Sequence, residues 1–239
     1  MKRTSKEDLV NKNVALQAPG SEQAEYFRTL KTNIDMLHIG RKVKSLVITS
    51  PTPDSGKTLI ASNLAATYAQ YDQKTLLIDL DLRMPSIGYA FPETKRSLGL
   101  SGLLDGERTV DLEDMLIQIG NSSLYVLPVG RKFSLPHVTI NSRALEAIIL
   151  AAKEEFDMVI IDTPPILAVS DALIVSRLVD GCLMAVKHNY TKHQELTKGN
   201  ELLMVLEEKY LGVVYNNPEM LESRYSYEKK KKGFRHNKR

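Results

Sequence analysis

Residues 44–58, K-S-L-V-I-T-S-P-T-P-D-S-G-K-T, run from a short apolar stretch through a turn-rich loop to Ser55-Gly56-Lys57-Thr58. This order predicts a strand, a phosphate-cradling loop and a helix N-terminus. The helical spacing of apolar residues in I-A-S-N-L-A-A-T-Y-A-Q just downstream supports it. Helix N-termini expose unpaired N–H groups with partial positive charge, so they attract phosphate oxygens. A lysine here reaches the β- and γ-phosphates, and a hydroxyl on the next residue ligates Mg²⁺. The usual pattern is G-x-x-x-x-G-K-[ST], and Pro51 stands where its first glycine belongs. A bare Gly-Lys-Thr arises by chance, so the loop needs support from elsewhere in the chain.

Two further motifs supply it. L-L-I-D-L-D-L-R-M-P, residues 76–85, predicts a buried strand ending in Asp79, with Asp81 and Arg83 just beyond. M-V-I-I-D-T-P-P, residues 158–165, is another apolar run ending in a carboxylate, Asp162. In an open parallel sheet, ligands bind beyond the carboxyl ends of the strands. Two strands that each deliver an aspartate to that edge can converge on one metal–nucleotide. Asp also favours turns after strands for its own reasons, but three motifs in this order point to the site. Arg83 reads first as a salt-bridge partner.

The chain has 239 residues, 43% of them hydrophobic and 26% charged, enough for one large domain with a sizeable core. No window approaches the ~18 consecutive apolar residues of a membrane span. The basic start M-K-R-T-S-K lacks the apolar segment of a secretory signal. The single cysteine, Cys182, lies in the run C-L-M-A-V and reads as a core thiol. The cytoplasm is the expected compartment. Net charge is +3, yet residues 229–239 hold seven Lys/Arg and no acid, leaving the rest at −4 (+3 less 7). Such a run is either a solvated tail or an attraction to anionic lipid or an acidic groove. No nucleic-acid partner is expected.

Residues 1–20 read as a flexible arm. Ser21 opens a helix that places Tyr26, Leu30, Ile34 and Leu37 on one face, with Gly40 as its C-cap. After the first motif and a helix to about residue 70 come a strand at 74–80 and a Gly/Pro/Ser-rich connection over 86–110. Then follow a helix at 111–119, a strand at 123–127, a helix at 142–155, a strand at 157–161 and a helix at 170–178. A strand at 181–187, a helix at 193–208 and a strand at 211–215 complete the pattern. Strands alternating with helices imply an α/β fold, a mainly parallel sheet with helices on both faces. Residues 21–217 form this domain, and 218–239 a flexible basic tail carrying Tyr225 and Tyr227. Those tail tyrosines have no packing role in so polar a segment, so they are phosphoacceptors or incidental. His188 and His193 flank a loop and are not expected to be ligands.

With these residues in view, the chain resembles the bacterial tyrosine kinases of capsular and extracellular-polysaccharide synthesis, P-loop proteins related to the partitioning and septum-placement ATPases. The resemblance runs from about residue 22 to 217. It rests on I-D-x-D-x-R-x-P (Asp79, Asp81, Arg83, Pro85), I-I-D-T-P-P at 160–165, S-D-A at 170–172 and the Asp180-Gly181 pair. Glu25-x-x-Arg28-x-x-Lys31 is similar to the family's E-x-x-R-x-x-R oligomerisation motif. Thr52 stands where the partitioning ATPases carry an extra lysine, which favours the kinase branch. The chain departs from the family at Asp54, in place of a glycine that tolerates positive φ, at Lys31 in place of an arginine, and in its sparse tail tyrosines.

The resemblance implies transfer of the ATP γ-phosphoryl group to tyrosine, a reaction catalysed mostly by positioning and charge neutralisation. Lys57 would act on the phosphates and support no core. Thr58, Asp79, Asp81 and Asp162 would hold Mg²⁺ directly or through water, with Asp79 the first choice of base. Backbone N–H groups of Ser55, Gly56, Lys57, Thr58 and Leu59 would cradle ATP. It also implies a homo-oligomeric ring, a separate transmembrane adaptor of the polysaccharide co-polymerase type that recruits the kinase to the inner membrane face, and a phosphotyrosine phosphatase. Two other readings stay open: a non-kinase P-loop ATPase switch, and a weakly active oligomerising scaffold.

Overall fold

The computed structural model describes residues 13–37, 43–104 and 111–216. Gly40, residues 105–110 and the segment bearing Tyr225 and Tyr227 lie outside the described residues. Seven strands form one sheet in the order β3-β4-β2-β5-β1-β6-β7. They are β1 (Ser45–Thr49), β2 (Thr75–Asp79), β3 (Ile117–Gln118), β4 (Leu124–Leu127), β5 (Met158–Asp162), β6 (Gly181–Lys187) and β7 (Tyr210–Asn216). All neighbours run parallel except the short edge pair β3–β4. β1, β2 and β5 are buried along their whole length, because helices cover both faces. This is why they read as continuous apolar runs and not as alternating ones.

One face packs on α3 (Lys57–Ala69), the helix that leaves the first loop. Nearly every α3 residue is buried, because α1 (Val14–Gln17) and α2 (Glu22–Met36) cover its outer side. Its Ala-rich surface permits this close approach. The other face packs on α8 (Arg143–Glu155) and α9 (Asp171–Ser176), with Leu145, Ile149, Phe156, Ala172 and Val175 in that core. Cys182 is fully buried in it, as expected.

Several expectations need correction. The last part of the 1–20 arm is docked: Ala15 is buried, Asn13 Nδ2 donates to the Ser62 carbonyl at 3.4 Å, and the Ala15 amide donates to Asn63 Oδ1 at 3.1 Å. On α2 the buried residues are Ala24 and Ile34, with Leu30 partly buried, while Tyr26 and Leu37 are exposed. At about 100° per residue, Tyr26 and Leu37 lie within about 20° of each other and roughly 60–80° from Ile34, so they fall off the edge of the contact face that Ile34 occupies. The expected helix at 111–119 is a four-residue turn, α6 (Leu112–Met115), followed by β3. The 86–104 connection is folded into α4 (Ile87–Ala90), a 3-10 turn (Pro92–Arg96) and α5 (Gly99–Leu104). The helix expected at 193–208 stops at Leu203 as α10 (His193–Leu203) and continues as a 3-10 turn. α7 (Pro136–Ile140) precedes α8.

Candidate active site

The loop joining β1 to α3 opens at the carboxyl edge of the sheet. Gly56 caps α3 at φ 93°, with no side-chain hydrogen bond capping the helix N-terminus. The amides of Lys57, Thr58 and Leu59 begin the helix and have no carbonyl one turn earlier within it. Asp54 has φ 60° and is exposed, so the loop does demand the left-handed backbone that glycine would adopt freely. Ser55 Oγ donates to the Thr52 carbonyl at 2.9 Å and braces the turn from inside.

Strands β2 and β5 end in register, with Asp79 directly opposite Asp162. Thr58 Oγ1 donates to Asp162 Oδ2 at 2.5 Å. Lys57 Nζ lies 3.0 Å from Asp81 Oδ2 and 3.8 Å from Asp162 Oδ1. Lys57, Thr58, Asp81 and Asp162, brought together from three separate segments, therefore form one buried cluster. Burial would lower the Lys57 pKa, but Asp162 and Asp81 outweigh it and hold the ammonium above its usual range. Burial raises Asp162, with Lys57 and the Thr58 hydroxyl opposing. Asp79 is pushed up to about 7, first by burial and then by repulsion from Asp162.

Asp79 is engaged differently from the base expected of it. Its Oδ1 accepts the Asp81 amide at 3.1 Å, and its Oδ2 accepts the amides of Ser86 and Ile87, each at 3.2 Å. It thus anchors the loop that carries Asp81, whose Oδ1 accepts the Met84 amide at 3.0 Å. Arg83 meets Asp171 at 3.5 Å, the salt bridge its position suggested.

Oxygen donors suited to a hard cation are present. Asp162 Oδ1 is buried without a hydrogen-bond partner beside the Thr58 hydroxyl. Among the described residues, no group of three or more His, Cys, Asp or Glu could hold a metal alone. The residues therefore fit Mg²⁺, which keeps several waters and takes phosphate oxygens as ligands, better than a cation caged by protein.

Two residues were not singled out in the sequence. Ser86 Oγ lies 2.7 Å from Thr58 Oγ1; its only signal was its place directly after D-L-R-M-P. Asn216 ends β7 and donates through Nδ2 to the Ser55 carbonyl at 3.3 Å. A Cβ at Gly56 would come within 2.1 Å of that Nδ2, so the phosphate loop and the last strand touch. Away from this edge, Glu25, Arg28 and Lys31 share α2, but their charges are used within the chain. Arg28 pairs with Glu25 at 2.6 Å and donates to the Pro19 carbonyl at 2.7 Å. Lys31 pairs with Asp35 at 2.6 Å and lies over the rings of Tyr68 and Tyr71.

The sequence pattern of the AAA domain matches residues 44–209. The tyrosine-protein kinase YwqD of Bacillus subtilis (strain 168) is 35% identical over 90% of this chain and 90% of its own length. Among solved structures, the chimerical protein CapA2B2 has a TM-score of 0.80 at 36% identity, covering 86% of this chain and 89% of that one. The kinase domain of the Escherichia coli tyrosine kinase ETK has a TM-score of 0.79 at 31% identity, covering 87% of this chain and 81% of that one. With the phosphate loop, the paired strand-end aspartates and these relatives in agreement, the chain belongs to the bacterial tyrosine-kinase family, built on the P-loop fold.

Proposed function

We propose that this chain is a protein-tyrosine kinase that uses Mg-ATP to phosphorylate Tyr225 and Tyr227 of its own C-terminal segment. The observation that carries this reading is the convergence of Lys57, Thr58, Asp81 and Asp162 at the mouth of the β1–α3 loop. The amides of residues 55–59 would cradle the phosphates, with Lys57 moving from Asp81 onto the β- and γ-phosphates. The Thr58 hydroxyl and Asp162 would hold Mg²⁺, with Asp79 at the edge of its water shell; the cation neutralises charge on the transferring phosphoryl group. Asp81, freed of Lys57, is the better placed base, because Asp79 is held by three amides. The phenolic oxygen bonds to the γ-phosphorus, the bond to the β–γ bridging oxygen breaks, ADP leaves, and the phenolic proton passes to Asp81.

The reading extends to control of capsular or extracellular polysaccharide synthesis, supported by the family. It includes a transmembrane adaptor that brings the chain to the inner membrane face, a homo-oligomeric ring using Glu25, Arg28 and Lys31, and a phosphatase that reverses the modification. No described helix is long and apolar enough to cross a membrane. Thr52 in place of lysine favours this reading over an ATPase switch.

Incubation of the purified protein with Mg-ATP, with and without an adaptor peptide, tests it by intact mass. Gains of ~80 Da per added phosphate are expected, mapping to Tyr225 and Tyr227. Release of free phosphate with no mass gain under either condition would assign the chain to the ATPase switch instead.

A further inference from the structure

We infer that Ser86 is a positioning residue for the cation site: its hydroxyl orients the Thr58 hydroxyl toward Mg²⁺ while its amide holds Asp79. The inference rests on the Mg-nucleotide reading above. Thr58 Oγ1 lies 2.5 Å from Asp162 Oδ2 and 2.7 Å from Ser86 Oγ. A hydroxyl owns one proton, and an ionised carboxylate only accepts. Thr58 therefore spends its proton on Asp162, and Ser86 must donate to Thr58. Lys57 Nζ, at 3.5 Å, is the remaining neighbour, and it leaves when phosphate draws it away.

The Thr58 oxygen then has one lone pair fixed by Ser86 and one left for a cation. The Ser86 amide donates to Asp79 Oδ2 at 3.2 Å, so one residue ties Asp79, Thr58 and Asp162 into a single network. Binding a cation through an already oriented hydroxyl avoids the cost of ordering it at that moment. Replacing the side chain leaves the amide bond to Asp79 intact, which separates the hydroxyl's role from that of the loop.

The test is a titration of fluorescently labelled ADP, in Mg²⁺ and in EDTA, with the wild type, Ser86→Ala and Ser86→Thr. In the wild type, Mg²⁺ should tighten binding. In Ser86→Ala that gain should shrink roughly 3- to 10-fold, the worth of one hydroxyl hydrogen bond, while affinity in EDTA stays the same. Ser86→Thr should restore the gain. An undiminished gain in Ser86→Ala, or an equal loss in EDTA, overturns the inference. A wild type whose binding ignores Mg²⁺ overturns the Mg-nucleotide reading and this inference with it. Should Ser86→Ala fail to fold, Ser86→Cys carries the same comparison, since a thiol is a weak donor.

Discussion

Lys57 and Asp81 form a buried ion pair at 3.0 Å, so the ammonium proposed to serve the phosphates is held by the chain's own carboxylate. On that proposal, nucleotide competes with Asp81 for it. Asp81→Asn is expected to raise affinity for metal-free ADP several-fold, because the lysine loses a competing anion. The same change should cut phosphoryl transfer by roughly 10²- to 10⁴-fold, the usual worth of a general base. Calorimetric titration and single-turnover transfer assays check the two arms. Weaker ADP binding would show that Asp81 orients Lys57 instead of competing for it.

Lys57→Met should abolish transfer and also destabilise the fold. The sequence suggested that Lys57 supports no core, but its ammonium neutralises Asp81 and Asp162 in a largely buried site. Removing one partner of a buried pair costs on the order of 3–5 kcal/mol. The loss should be smaller near pH 5.5 than at pH 8, because protonation relieves the stranded carboxylates. Denaturant unfolding at both pH values measures this.

Stability of the nucleotide-free wild type should fall as pH rises from about 4 to about 7. Asp79 is raised to about 7 by burial and by Asp162, while an unfolded Asp titrates near ~3.9. Between those values the folded protein keeps a proton that the unfolded chain has released, so raising pH favours unfolding. Asp162→Asn removes the neighbouring charge that raises Asp79 and should flatten the slope. A melting-temperature series from pH 4.5 to 8 reads both.

Gly56→Ala should cost the fold roughly 2 kcal/mol or more, since φ 93° suits only glycine and the added methyl meets Asn216 Nδ2. Asn216→Ala removes the obstacle but not the backbone strain. The double variant should therefore be less destabilised than the two single losses added together. Additive losses in urea unfolding would mean that the contact exerts no strain.

Much of this arrangement was readable before any coordinates, for a physical reason. Strands buried on both faces must be apolar throughout, so an aspartate closing such a run, as Asp79 and Asp162 do, stands out. Lys57 and Thr58 stand out because Gly-Lys-Thr follows an apolar strand pattern and opens a helical one, an order that the two aspartate-ended strands support. The partners were hidden. Asp79 and Asp81 look equivalent in I-D-x-D, yet loop closure turns one toward three amides and the other toward Lys57. Ser86 and Asn216 depend on contacts 28 and 161 residues away in sequence, which no local pattern encodes. The docking of Asn13 and Ala15 was hidden because α3, the surface they cover, reads as a helix with two apolar sides only once all its neighbours are in place.

The bond from Asn216 to Ser55 fixes where the chain departs for its C-terminal segment: beside its own phosphate loop. Tyr225 and Tyr227 lie nine and eleven positions beyond Asn216, and a chain spans at most ~3.3–3.6 Å per residue. Both tyrosines therefore lie within about 40 Å of Asn216, and so of the loop of the same subunit. A subunit that modified either tyrosine would have to bring its own loop within that reach. On the proposed kinase reading, which molecule's tail is modified becomes a matter of radius, set by how closely the copies approach one another.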